Sequence, residues 1–465
     1  MRIIRFNNKG WRARFNDGFD EQNVSRVADA FGYIWSDARP GSTILVGYDT
    51  RFNGRGLAGV VAGVLASYGL HAIVSDGPCP TPALGWNVMQ DTTVAGGVML
   101  TASSASCEYG GISARGANGG PIADDFYDAA ARIVSSVPVT ARAPFSYADF
   151  VTPYLTRLRE MVDAEAIREA SLGVVVDPLY GSSRGCLAQL LRGMGCHVHE
   201  IHSDANPDFG GLHPTPVEPW VDTCEQAVVT FGSDLGLVLD GDGDRFGVVD
   251  EKGRLITPHR TIPLIMEHLV TNYNEQGRIV ATFSSSACVR RQAHRLGCEF
   301  TAVPMGFTRI YREFVEGDVI LGADEYGGIA FPNHLAERDG LLSALFMVEY
   351  VAKRNMSMSE LVDELLANVG TMHYIRRDIH LDAASIQSFR NILPGLNLRN
   401  VCGMTPVSVG HSDGLVLRFA DDSWVQLRPS RTEPLVRACA EAHGVSMANR
   451  LADEACREAM KHLPH

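Results

Sequence analysis

Three times along the chain an apolar, β-branched run meets a turn of glycine or serine and then apolar residues at helical spacing. This rhythm constrains the fold more than any single motif does. In the first round Val24, Val27, Ala28, Phe31 and Ile34 recur at helical spacing after Asn23, the apolar run 43–48 follows, and a helical stretch at 57–67 leads into the run 71–75. The second round passes from 172–177 through a helical segment near 185–191 to the runs 197–201 and 235–240. The third goes from 278–283 through 289–296 to 319–321 and a helix at about 341–351. Strands that alternate with helices pair in parallel, because each helix carries the chain back across the sheet by a right-handed crossover. The expected class is therefore α/β: three similar α/β domains with mixed, mostly parallel sheets.

After about Gly370 the rhythm changes. Alternation at 374–380, a hairpin of 415–419 and 424–427 around Asp421-Asp-Ser423, and a helix at about 448–462 predict a C-terminal α+β domain. A chain of 465 residues exceeds what one core serves, and 45% hydrophobic with 20% charged residues supplies several ordinary cores. The net charge of −13 argues against nucleic acid or an anionic membrane as main partner, yet admits an anionic small molecule held in a local basic pocket. Ten cysteines are spread singly with no CxxC pair, so neither a zinc site nor a disulfide framework is indicated. With no signal-peptide pattern at the start and no run near the ~20 apolar residues of a membrane helix, a cytoplasmic protein is expected.

The sharpest chemical signal is Asp240-Gly-Asp-Gly-Asp-Arg245, which leaves the apolar run 235–239. Alternate carboxylates of Asp240, Asp242 and Asp244 can converge on one point, where their repulsion calls for a divalent cation, and all-oxygen ligands favour Mg²⁺. An EF-hand reading fails, because Arg245 stands where that loop needs glycine and the flanks read as strands. A second signal is Arg428-Pro-Ser-Arg-Thr-Glu-Pro-Leu-Val-Arg437. There Arg428, Ser430, Arg431, Thr432 and Arg437 gather guanidinium and hydroxyl donors, the makings of a phosphate cradle. A third is the abrupt exit of the run 98–100 into Thr101, Ser103, Ser104 and Ser106. If a metal site and a phosphate cradle share one cleft, a hydroxyl at a strand end could be the nucleophile, or the carrier, in phosphoryl transfer.

Taken in order, Gly10-Trp-Arg12, Gly47-Tyr-Asp-Thr-Arg51, Thr101-Ala-Ser103, Asp240-Gly-Asp-Gly-Asp-Arg245, Gly322-Ala-Asp-Glu-Tyr-Gly-Gly328 and Arg428-Pro-Ser-Arg-Thr-Glu-Pro434 resemble the motifs of the α-D-phosphohexomutases, the phosphoglucomutases and phosphomannomutases. The linking segments Thr81-Pro-Ala-Leu84 and Glu337-Arg-Asp-Gly340 match as well. The resemblance implies four domains, at 1–145, 146–255, 256–370 and 371–465, each giving one loop to a central cleft. It implies that Ser103 is the phosphoserine and that it binds Mg²⁺ with Asp240, Asp242 and Asp244. Arg12 and Arg245 would act beside it, Asp324, Glu325 and Tyr326 would meet the sugar, and the Arg428–Arg437 loop would hold the distal phosphate. The reaction so implied moves phosphate between C1 and C6 of a hexose through a bisphosphorylated sugar, with a hexose 1,6-bisphosphate as primer, in a monomer or homodimer.

Two departures from the family pattern stand out. Ser104-Ala-Ser106 replaces its usual His-Asn-Pro, and Ser113 aligns with its proton-transferring lysine. A serine is no general base near neutral pH without an activating partner. A phosphosugar-binding or regulatory homologue is thus the alternative function, and a phosphatase in which water intercepts the phosphoserine is a third. Tyr326 reads equally as loop packing or as altered sugar specificity. His334, Arg309 and Glu108 are candidates for the missing acid or base, His334 and Glu108 reading also as structural or solvated residues.

Overall fold

The three sequence repeats fold into three mixed sheets, parallel where helices carry the chain from strand to strand and antiparallel toward one edge. The computed structural model describes residues 3–7, 9–430 and 434–461. The first sheet runs Trp11–Arg14, Tyr109–Gly116, Val94–Leu100, Thr43–Tyr48, His71–Ser75, Ser146–Ala148, with Val94–Leu100 onward parallel and the other two antiparallel. In the second, Gly173–Asp177 lies between its parallel neighbours His197–Glu200 and Leu235–Leu239, and Phe246–Asp250 returns antiparallel. The third places Arg278–Thr282 between parallel Glu299–Val303 and Val319–Ala323 and ends on the short antiparallel Ile329–Ala330. The fourth is wholly antiparallel: His373–His380, Leu435–Ala442, Trp424–Pro429, Leu415–Arg418, Ser408–Gly410.

The hairpin expected around Asp421-Asp-Ser423 is present, with Arg418 opposite Trp424. Its neighbour Leu435–Ala442 (LVRACAEA) gives no strand signal, since small residues fill most of its buried positions; two flanking strands fix it instead. Tyr109–Gly116 (YGGISARG) is hidden for a similar reason, its glycines lowering β-propensity while the sheet supplies partners on both sides.

One apolar core runs without a break through the first three sheets, from Leu84 and Met99 through Leu239 to Leu345 and Leu365. The fourth sheet keeps its own core of Phe389, Leu417, Val436 and Leu451. The two are joined through Glu441, whose carboxylate accepts from Trp424 Nε1 at 2.9 Å, from the Ala287 amide at 2.7 Å and from Ser286 Oγ. No helix of the described residues is long and apolar enough to cross a membrane.

This topology decides where chemistry can sit. Leu100, Leu239 and Ala323 are the last residues of parallel-sheet strands, and the segments that follow them carry Ser103, Asp240 to Asp244 and Asp324 to Tyr326. Carboxyl-terminal strand ends are where open α/β sheets bind ligands, because the loops there are freed from the ladder and face one crevice.

Candidate active site

Ser103 answers why a strand ends on hydroxyls. Its backbone is left-handed, φ 49°, a conformation that costs a non-glycine residue about 1–2 kcal/mol, so something must hold it. Arg51 does so. Its Nη2 donates to the carbonyls of Ser103 (2.6 Å) and Ala105 (2.7 Å), and its Nη1 to those of Ser106 (2.6 Å) and Tyr109 (3.0 Å). Asp49 anchors the guanidinium at 3.0 Å and accepts from Thr101 Oγ1, which in turn accepts from the Ser103 amide. The Ser103 hydroxyl is thereby aimed at the second sheet, where it donates to Asp240 Oδ2 at 2.9 Å.

The three aspartates converge as their spacing predicts. One carboxylate oxygen from each lies within 4.8 Å of the others, and all three side chains are buried. Gly243 makes the turn possible: at φ 70° its absent Cβ would lie 2.3 Å from Ser183 Oγ. Burial, then the charges of Asp244 and Asp242, push the Asp240 carboxyl well above the usual range. Burial also raises Asp244, to about 6, against the pull of Arg338. For Asp242 burial is outweighed by a hydrogen bond from Thr81 and by Arg338, Arg12 and Arg245, and its carboxyl is held low. Asp242 Oδ1 and Asp244 Oδ1 are buried with no hydrogen-bond partner. Two orphaned carboxylate oxygens beside a third carboxylate and a hydroxyl form a hard, all-oxygen donor set that fits a divalent cation.

Around this point the cleft is lined with guanidinium groups. Arg245 Nη1 donates to Ser104 Oγ at 3.1 Å, and Arg12 lies in the field of Asp242, Arg51, Arg245 and Asp244. Arg338, which sequence reasoning missed, pairs with Asp244 at 2.5 Å, Glu337 at 3.3 Å and Asp324 at 3.5 Å. It falls in the matched linker 337–340, and no local pattern announces that its side chain reaches another domain's loop.

In the third loop Asp324 is occupied, its Oδ1 accepting from the amides of Tyr326 (2.9 Å) and Gly328 (3.1 Å). Glu325 is buried; one oxygen accepts from Thr282 at 2.8 Å and the other has no partner. Tyr326 lies between two cations, Arg245 at 5.6 Å and Arg376 at 5.5 Å from its ring centre, and its hydroxyl accepts from Arg376 Nη1 at 3.2 Å. In the fourth domain Arg376 and Arg437 share Asp378 at 2.8 and 3.8 Å, Arg428 lies against the Met305 thioether, and Ser430 is buried with its amide on Leu435. Arg431 and Thr432 lie outside the described residues. Contacts therefore run unbroken from Ser103 and Ser104 through Arg245, Tyr326 and Arg376 to Asp378 and Arg437.

The remaining candidates sit elsewhere. His334 has a buried side chain, bonded through Nε2 to Asp339 at 3.0 Å with its ring 6.3 Å from that of Tyr154, a structural role. Glu108 pairs with Arg14 at 3.6 Å, both well exposed. Arg309 is exposed on the helix Phe307–Glu316.

Models of the family described as phosphoglucomutase/phosphomannomutase, alpha/beta/alpha domains I, II and III, match residues 4–138, 152–253 and 257–369. The chain is 28% identical to the phosphoglucomutase/phosphomannomutase of Thermococcus kodakarensis over 94% of each protein. It is 28% identical to the phosphoglucosamine/phosphogalactosamine mutase of Sulfurisphaera tokodaii over 97% of each. Among solved structures, one from Thermus thermophilus, provisionally assigned as a phosphomannomutase, superposes with a TM-score of 0.88 at 30% identity, covering 98% of this chain and 99% of that one.

Proposed function

Since the chain belongs to the phosphoglucomutase/phosphomannomutase family and is a phosphohexomutase, we propose that it moves phosphate between C1 and C6 of a hexose phosphate by way of Ser103. One observation carries this reading: a hydroxyl from the first domain meets a buried three-aspartate site of the second at 2.9 Å, with two carboxylate oxygens that accept no hydrogen bond. Asp240, Asp242, Asp244 and Ser103 would hold the cation, Mg²⁺ by its ligand chemistry, and when bound it would withdraw charge from the phosphoryl oxygens.

The chain's own residues do the rest. Transfer between a serine ester and a sugar ester is close to energy-neutral, so the work is positioning and charge neutralisation. Arg51 fixes the loop so that Ser103 Oγ, the phosphorus and a sugar oxygen can line up. Arg12 and Arg245 supply positive charge where the phosphoryl group is transferred. Glu325 offers an acceptor to a sugar hydroxyl, Asp324 orients its loop, and Tyr326 closes the wall between two guanidinium groups. Arg428, Ser430 and Arg437, with Arg431 and Thr432, would grip the phosphate that is not being transferred. A hexose 1,6-bisphosphate loads the serine.

A turnover panel tests the proposal. With Mg²⁺ and a bisphosphate primer, the 1-phosphates of glucose, mannose and glucosamine are followed to their 6-phosphates. At least one is expected to interconvert, and Ser103→Ala to abolish it. Binding of all three with no conversion of any contradicts the reading.

A further inference from the structure

Transfer to a sugar hydroxyl needs a group that takes up its proton, and near the reacting serine most candidates are ruled out by chemistry. The guanidinium groups of Arg12, Arg51, Arg245 and Arg338 do not titrate in the working range. Asp324 is committed to backbone amides and Arg338, and His334 is sealed in the interior. Glu325 accepts from Thr282 at 2.8 Å and is assigned to hydrogen-bond a sugar hydroxyl, with Asp324 and Arg428 acting on it.

Lys9 remains. It lies exposed in the turn just before Trp11–Arg14. Trp11 pairs with Ile112 and Arg12 with Gly111, so the register carries residue 10 to Ser113. Gly10 confirms the closeness: at φ 90° a Cβ there would stand 2.0 Å from the Ile112 carbonyl and 2.9 Å from Ser113 Cα. The backbone next to Lys9 therefore lies against Ser113, the position where the family pattern has its lysine. Four charged groups face it: Arg12 from its own strand, Arg245 from the metal loop, Arg338 from the linker 337–340, and Asp324 from the third loop.

We propose that Lys9 is the proton carrier of this enzyme, an amine supplied from the strand beside the one that lost it. The inference rests on the mutase reading above. The surrounding protein mass first, then Arg245, Arg12 and Arg338, against Asp324, lower the Lys9 ammonium to about 7. Lys9 is exposed, which weakens the burial effect, while three cations against one anion fix the direction. In the first transfer the sugar oxygen bonds to phosphorus as the Ser103 Oγ–P bond breaks. The hydroxyl proton passes to Lys9 Nζ, and Oγ, leaving with the bonding pair, takes a proton from water. In the second transfer Oγ returns its proton to water and attacks the other phosphate, and the departing sugar oxygen takes the proton held on Lys9.

The test is the pH profile of kcat for wild type, Lys9→Met and Lys9→Arg, with unfolding midpoints and substrate affinity by calorimetry as controls. Wild-type kcat should rise with pH through an apparent pKa near 7, since the neutral amine is the acceptor. Both variants should fold normally and lose about 10²–10⁴-fold in kcat together with that limb, and Lys9→Arg should keep its substrate affinity because it keeps the charge. If Lys9→Arg turns over like wild type, or if the limb persists in Lys9→Met and disappears in Glu325→Gln, Lys9 is not the carrier although the enzyme is still a mutase. A wild-type protein without turnover on the sugar panel overturns both readings.

Discussion

At the scale of single residues, the site is an arrangement of strain and charge that the chain sustains with few groups. Ser103 is held left-handed because one buried guanidinium binds four carbonyl oxygens around it. Arg51→Met removes those bonds and leaves Asp49 buried and unpaired, which should cost about 3–5 kcal/mol by denaturant unfolding and lower turnover with it. Unchanged stability would mean that Arg51 is not what holds the loop. Residues of this scale differ in how legible they are. The three aspartates are readable because their spacing after one apolar run gathers them, and Ser103 because it stands in a motif that resembles the family's. Arg338 and Lys9 are not, since their partners come from other domains and leave no mark on neighbouring sequence.

At the scale of elements, strands and helices with strong local preference are readable, and those fixed by their neighbours are hidden. Thr43–Tyr48 and Leu235–Leu239 are continuous apolar runs that only a doubly covered strand can bury, whereas Tyr109–Gly116 exists because two strands already flank it. The helix Gly340–Arg354 shows how one cap ties elements together. Asp339 accepts from the Leu342 amide at 2.9 Å, from Tyr154 at 2.7 Å and from His334 at 3.0 Å, and the Gly340 amide donates to Gly243 in the metal loop at 3.1 Å. Asp339→Ala loses the cap and strands two buried polar side chains, an expected cost of about 2–4 kcal/mol. A weakened divalent-ion affinity, read by calorimetry, should accompany it, because the helix start supports the turn that bears the aspartates. Wild-type affinity in a destabilised variant would separate the helix from the site.

At the scale of the whole molecule, three sheets share one core and the fourth has its own. The change after Gly370 is visible in the sequence as a change of rhythm; the joint itself is not, being made of single side chains. Asp422 is one of them, paired with Arg290 and, at 2.9 Å, with Arg291. Burial raises its carboxyl, but the hydrogen bonds and charges of Arg291 and Arg290 outweigh that and hold it below the usual range. A depressed carboxyl stabilises above its unfolded value, about 3.9, and that contribution is lost as pH falls through the lower folded value. Hydrogen exchange at 286–291 and 421–424 should therefore quicken below about pH 4, and Asp422→Asn should show the same quickening at pH 7. Equal protection in the variant and wild type at neutral pH would mean that this pair does not hold the joint.

The proposed function stands on one arrangement, in which a serine of the first domain, a cation held by carboxylates of the second and the arginines of the fourth would serve a single phosphoryl transfer. The most direct measurement is intact-protein and peptide mass spectrometry after incubation with Mg²⁺ and a hexose 1,6-bisphosphate. One added phosphoryl group on Ser103, removed by a hexose 1-phosphate and absent when the metal is chelated, is the predicted result. Hexose phosphates that interconvert while Ser103 stays unlabelled, or a label on another residue, would contradict it.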